Sequence, residues 1–156
     1  MNVLIVTLSD RASRGEYEDR SGPEIESILQ TTFPSVATER VLIGDDPELL
    51  KAQVQRTGEF DVIITTGGTG IGPRDITPEV VNPLLDREIP GIMEFIRTQH
   101  GERLPSALLS RSVAGVIGTT LIYTLPGSVK AVREYMAEIL RSLEHALQMI
   151  QGIDAH

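Results

Sequence analysis

Residues 60–79 read FDVIITTGGTGIGPRDITPE. The stretch opens on an apolar, β-branched run, then places Gly67, Gly68, Gly70 and Gly72 within six positions, and closes on Thr77-Pro78-Glu79. A short apolar run bounded by glycines predicts a buried strand, and a threonine followed by proline predicts a helix start. Strand, glycine loop and helix in succession form the unit of an α/β protein. Glycines let such a loop adopt positive φ and bring several amide hydrogens close to a ligand.

Working outward, the same unit recurs. Residues 2–8, NVLIVTL, form a near-continuous apolar strand that leads into Ser9-Asp10-Arg11-Ala12-Ser13. Ser21-Gly-Pro-Glu24 reads as a capping box opening a helix with an Ile25, Ile28, Leu29 stripe. Residues 36–43 read as a second strand, and Asp46-Pro47-Glu48 as a capped helix start, with Gly58 at the end of that helix. After Thr77 a short helix is expected to about residue 85, broken near Pro90-Gly91, and then a helix over 92–100 ending at Gly101. Residues 113–117 and 120–125 flank Gly118-Thr119 as an antiparallel hairpin. Leu125 leads into Pro126-Gly127-Ser128 and a long helix with Val129, Val132, Met136, Ile139, Leu140, Leu143, Leu147 and Ile150 at helical spacing. The predicted architecture is a three-layer α/β/α sandwich over residues 1–156 as a single domain. Its sheet is doubly wound, mostly parallel, with an antiparallel edge hairpin.

The 156 residues carry a net charge of −8 and no cysteine. Thiolate metal sites are thereby excluded. The charge argues against nonspecific nucleic-acid binding, and the few aromatics argue against base stacking. The apolar start is short and lacks a basic flank, so it reads as a strand and not a signal peptide. No apolar run approaches a membrane span, and a cytoplasmic protein is expected. The histidines His100, His145 and His156 show no ligand spacing. Arg14, Glu16, Glu18 and Arg20 read as a solvated loop, one that could fold over a ligand.

Chemistry is expected where the strand ends converge. If residues 2–8, 62–66 and 121–125 are parallel, their carboxyl ends share one edge, the place where α/β sheets bind ligands. The glycine loop offers amides, Thr65, Thr66 and Thr69 offer hydroxyls, and Arg74 offers a forked cation suited to phosphate. Asp75 beside an anion makes sense mainly as a metal ligand or proton acceptor. The plainer readings are a packing turn at the glycines and a surface ion pair at Arg74-Asp75. No Gly-Lys-Ser/Thr follows the loop, and the GxGxxG register is absent, so neither a Walker A nor a dinucleotide loop is present.

VTLSDRAS near the start, TTGGTGIGPRDITPE in the middle and LSR…LPGS toward the end together resemble the MogA/MoaB family of molybdenum cofactor biosynthesis. The resemblance runs from Asn2 to the C-terminal helix. It implies adenylyl transfer from ATP to molybdopterin with release of pyrophosphate, Mg2+ as cofactor, a homotrimer, and a partner protein that inserts molybdenum. It places catalytic, metal-holding aspartates at Asp45 and Asp75. Asp46 next door fits a helix cap, and which of Asp45 and Asp46 is the functional carboxylate stays open at this point. The substrate pocket implied comprises Ser9, Asp10, Arg11, Ser13, Thr66, Gly67, Gly68, Thr69, Gly70, Arg74, Ser110, Arg111, Pro126, Gly127 and Ser128. Two other functions remain in view: a molybdopterin-binding protein of the same fold without transferase activity, and a CinA-like nucleotide hydrolase. The CinA branch resembles GGxGPTxDD, whose second aspartate is missing from GIGPRDIT.

Overall fold

In the computed structural model, which describes residues 1–153, the chain runs β1 (Asn2–Leu8), α1 (Asp10–Ser13), α2 (Ser21–Thr32), β2 (Ala37–Ile43), α3 (Pro47–Val54), β3 (Val62–Thr66), α4 (Thr77–Val81), β4 (Arg87–Glu88), α5 (Pro90–Gly101), β5 (Ala114–Ile117), β6 (Thr120–Leu125) and α6 (Val129–Ile150). Short 3-10 turns cover Asn82–Leu84 and Pro105–Leu109. The six strands make one sheet in the order β2-β1-β3-β6-β5-β4. The pairs joining β2, β1, β3 and β6 are parallel, while β5 pairs antiparallel with both β6 and β4. The predicted parallel sheet with an antiparallel edge is thus the observed one.

Alternation along the strands sorts the core into two layers. Val3, Ile5, Ile64, Tyr123 and Leu125 pack with Ile25 and Leu29 of α2, Met93 and Ile96 of α5, and the α6 stripe from Val132 to Leu143. Leu4, Val6, Ile63 and Ile122 face the other way, onto Leu50 and Val54 of α3 and Val81 of α4. Because both faces are covered, β1 has no polar alternation. Val3, Leu4, Ile5 and Val6 are all fully buried, each stabilising the fold by roughly 1.5–3 kcal/mol.

Register is what positions the site. Thr7 of β1 stands opposite Thr66 of β3, and Thr66 stands opposite Leu125 of β6. Three strands therefore end at one level. Leu8-Ser9, Gly67-Gly68 and Pro126-Gly127 leave the sheet side by side.

Several local expectations are corrected. Ser21 does not open a capping box, because helix α2 begins at Ser21 itself and Asp19 serves its amino end. Asp19 Oδ1 accepts from the Gly22 amide at 3.1 Å and the Ser21 hydroxyl at 3.2 Å, and its Oδ2 accepts from Thr7 Oγ1 at 2.8 Å. Glu24 pairs instead with Arg133 Nε, 2.6 Å away on α6. The expected break between the two helices falls at residues 85–89, and Pro90 already belongs to α5, since proline lacks only an amide that the first turn leaves unpaired. Helix α3 stops at Val54, before Gly58. The two-residue β4 has too little sequence to announce itself. His156 lies outside the described residues.

Candidate functional site

The glycine loop is built against its two neighbouring strands. Gly67 has φ +105°, and a Cβ there would stand 2.3 Å from the Leu8 carbonyl oxygen, so no other residue fits. The Gly67 amide donates to Leu125 O at 2.9 Å, and Thr66 Oγ1 donates to Pro126 O at 2.9 Å. A Cβ on Gly127 would meet Gly67 Cα at 3.4 Å. The loop then folds back on its own helix. Thr77, fully buried, donates its hydroxyl to Gly67 O at 2.8 Å and its amide to Gly68 O at 3.0 Å. Held this way, the amides of Gly68, Thr69 and Gly70 have no acceptor among the described residues. So do those of Gly127, Ser128, Val129 and Lys130 at the start of α6, where the helix dipole is positive.

These residues line one cavity of about 870 Å³. Ser9, Asp45, Gly67, Gly68, Thr69, Gly70, Asp75, Ser110, Pro126, Gly127 and Ser128, all singled out in the sequence, are on its wall. Ser9 and Ser128 also cap their helices, accepting from the amides of Ala12 at 3.1 Å and Ala131 at 3.2 Å. Each hydroxyl hydrogen remains available to an anion.

Both aspartates are oriented by main-chain donors. Asp45 Oδ2 accepts from the Asp10 amide at 3.0 Å, while the Asp45 amide donates to Asp10 Oδ1 at 2.9 Å. Asp75 Oδ2 accepts from the Gly72 amide at 2.7 Å. A Cβ on Gly70 would come 2.7 Å from that same oxygen, so Asp75 lies directly over the glycine loop. In each carboxylate the second oxygen has no hydrogen-bond partner among the described residues. Burial pushes the Asp45 carboxyl above the ordinary aspartate range, opposed by the Asp10 amide, while the Asp10 and Asp75 charges add to the rise and Arg74 subtracts. Asp46 has a different task. Its Oδ1 accepts from the amides of Glu48 at 2.9 Å and Leu49 at 3.0 Å, as the cap of α3.

Six of the sequence-selected residues are not on the cavity wall. Arg74 is engaged by neighbouring loops. It forks onto Asp10, with Nε–Oδ2 2.9 Å and Nη2–Oδ1 3.0 Å, and also donates to Asp45 O at 2.9 Å. Arg111 donates to Gly70 O at 2.7 Å, to Asp75 O at 3.0 Å and to the Glu79 carboxylate. Both guanidiniums fix the loops that carry the aspartates. Asp10 is the acceptor of that network; its carboxyl is held below the usual range first by the Asp45 amide and then by Arg74. Ser13 Oγ donates to Asp10 O at 2.9 Å, Arg11 lies over the Tyr17 ring, and Thr66 is fully buried.

The rest of the wall had no motif. Tyr17, Asp19 and Arg20 come from the 14–20 loop, read earlier as solvated, and Ile96, Arg97 and His100 from α5. Leu104, Ser106 and Leu109 come from the 3-10 turn and its flank, and Lys130, Glu134 and Tyr135 from α6. His100 Nδ1 stands 3.6 Å from Glu134 Oε1. Among the described residues no helix is long and apolar enough to cross a membrane.

Comparison with known proteins fits this geometry. The family profile described as "Probable molybdopterin binding domain" matches residues 4–145. The chain is 38% identical to gephyrin of Dictyostelium discoideum over 96% of its length, but spans only 22% of that protein. It is 33% identical to the molybdopterin adenylyltransferase of Helicobacter pylori, covering 97% of this chain and 89% of that one. The solved structure of the molybdopterin biosynthesis enzyme MoaB from Thermus thermophilus superposes with a TM-score of 0.87 at 42% identity, covering 97% of this chain and 96% of that one. The sheet order, the glycine loop and nearly full-length similarity agree: the chain belongs to the MogA/MoaB family of molybdenum cofactor biosynthesis proteins.

Proposed function

We propose that this protein is a molybdopterin adenylyltransferase that joins the terminal phosphate of molybdopterin to the adenylyl group of ATP and releases pyrophosphate. One observation carries the reading: Asp45 and Asp75 share a cavity with seven unpaired main-chain amides, at the common edge of three parallel strands. The reaction brings two anions together. Free amides and helix-dipole ends suit the phosphates, and fixed carboxylates suit a cation between them.

Mg2+ fits these residues. It takes one or two protein carboxylates and completes its shell with phosphate oxygens and water. Asp45 and Asp75 would hold it through the oxygens that no main-chain donor engages. Bound there, it would supply charge neutralisation at the reacting phosphate and the leaving pyrophosphate. Among the described residues no cluster of three or more His, Cys, Asp or Glu forms a protein-only cage.

The chain's own contribution is placement. The attacking phosphate is already ionised at neutral pH, so no general base is needed. The oxygen attacks the α-phosphorus, a new P–O–P bond forms, and the bond to the β-phosphate oxygen breaks. Amides at Gly68–Gly70 and at the start of α6 hold the two phosphates in line and spare them mutual repulsion. The homotrimer and the molybdenum-insertion partner belong to the same reading. Half-exposed Phe95 and Leu108 provide apolar surface for assembly, and sedimentation of the purified protein tests it.

The deciding experiment incubates the protein with molybdopterin, ATP and Mg2+ and looks for adenylylated molybdopterin by mass spectrometry. Product that disappears with EDTA supports the reading. Pterin binding with no product would refute transfer and leave a binding protein; pyrophosphate release without pterin would point to a nucleotide hydrolase.

A further inference from the structure

Two anionic substrates meet in a protein of net charge −8, yet the two arginines expected to receive them are consumed by scaffold contacts. The cavity wall offers other basic side chains. Arg97 lends Nη1 to Ser112 O at 2.8 Å, and His100 faces Glu134. Arg20 and Lys130 remain.

Lys130 stands where local physics disfavours it. It lies in the first turn of α6, a turn with no acidic residue, where the positive end of the dipole opposes a cation. Its ion partner, Glu134, is 4.0 Å away, and the lysine is 74% exposed. The Lys-before-Glu order at i,i+4 is also the weaker one on a helix. Arg20, 67% exposed, lies 3.9 Å from Glu18. It precedes α2, whose amino end carries Asp19 and Glu24, and its side chain has no other partner among the described residues. Lys130 stands against the local rule and Arg20 is only weakly paired; on the wall of a cavity, a bound anion would compensate both.

We propose that Arg20 and Lys130 form the cationic clamp of this cavity, gripping phosphate groups from two elements far apart in sequence. The assignment rests on the adenylyl-transfer reading for the identity of the ligands, ATP and molybdopterin, and not for the clamp itself. Arg74 and Arg111 are positioning residues. Arg20 and Lys130 touch the ligand.

The test compares Arg20→Gln, Lys130→Gln and the double variant with wild type, by calorimetric titration with inorganic tripolyphosphate and with molybdopterin. Turnover is measured alongside. Each single change is expected to weaken binding of at least one ligand about tenfold, the scale of one charge-assisted contact. Melting temperature should be unaltered, and the KM of that substrate should rise more than kcat falls. Lys130→Arg should retain most of the affinity. The ligand affected tells which substrate's phosphate each cation holds. If wild type makes no adenylylated product but tripolyphosphate affinity still depends on Arg20 and Lys130, the transferase reading fails and the clamp stands. If wild type turns over and both variants bind both ligands within twofold of it, the clamp is overturned and the transferase reading stands.

Discussion

Arg111→Gln separates a scaffold arginine from a ligand arginine. The guanidinium donates to two main-chain carbonyls, Gly70 O at 2.7 Å and Asp75 O at 3.0 Å, and to the Glu79 carboxylate. A hydrogen bond from a charged donor contributes about 1.5–3 kcal/mol net. The side chain is 36% exposed, so water recovers part of that loss at each carbonyl. The Glu79 partner is 55% exposed, and such a pair adds at most about 1 kcal/mol. The expected destabilisation is about 2–3 kcal/mol. For a chain of this size that lowers the melting temperature by roughly 5–10 °C. Calorimetry on wild type and variant measures it. Activity should fall through kcat, because the segment carrying Asp75 loses its anchor while the phosphate-facing amides stay in place. Arg111→Lys should recover less than half the stability, since one ammonium cannot serve acceptors spread across a planar fork. If Arg111→Gln melts within 1–2 °C of wild type and changes only KM, the guanidinium is a substrate contact and the scaffold assignment is wrong.

Four further changes probe the site. Gly67→Ala places a Cβ 2.3 Å from Leu8 O at φ +105°; a loss above about 3 kcal/mol is expected, read by urea titration, and near-native stability would show that the strand ends can part. Asp46→Ala should cost about 1 kcal/mol as a lost cap with transfer activity intact, whereas Asp75→Asn should abolish transfer and keep pterin binding, each read by melting and turnover. Asp45→Asn tests the electrostatics. Because burial raises the folded carboxyl's pKa, the native state holds that proton more tightly than the unfolded chain, and stability falls as pH rises from the ordinary aspartate value through the raised one. Asparagine can still accept from the Asp10 amide. The variant should therefore be more stable than wild type at neutral pH, with the gap closing in acid and Mg2+ stabilisation lost; a gap independent of pH would contradict it.

The parts of the fold that were legible are those whose cause is local. The β1, β3 and β6 runs are apolar because both faces are covered, and Gly67 is glycine because Leu8 O leaves no room; both facts leave a mark in a handful of residues. Asp75 stands out for the same reason, beside the glycine loop, whereas Asp45 is placed by the family resemblance alone. Partners leave no such mark. Arg74 lies beside strong candidates for phosphate binding in sequence, yet it pairs with Asp10, 64 positions away. Arg111 closes on Gly70, 41 positions back. Asp19 displaced Ser21 as the acceptor at α2 because Thr7 at the end of β1 orients it, which no window of neighbouring residues records.

That division explains how an acidic chain can hold the anionic substrates proposed for it. Negative groups near the cavity are neutralised before any ligand arrives: Asp10 by Arg74 and by the Asp45 amide, Glu79 by Arg111. The wall also carries Asp45 and Asp75, which no cation pairs among the described residues, and free amides with the weakly paired Arg20 and Lys130. The two sets want opposite ligands, a cation for the carboxylates and phosphate for the amides. A phosphate carrying its own magnesium satisfies both at once, so the site should favour the ion-bound nucleotide over either component alone. Titrations of Mg2+ alone, ATP alone and the two together check this. Binding of the pair no tighter than the sum of the separate free energies would show that the carboxylates and amides do not act on one ligand.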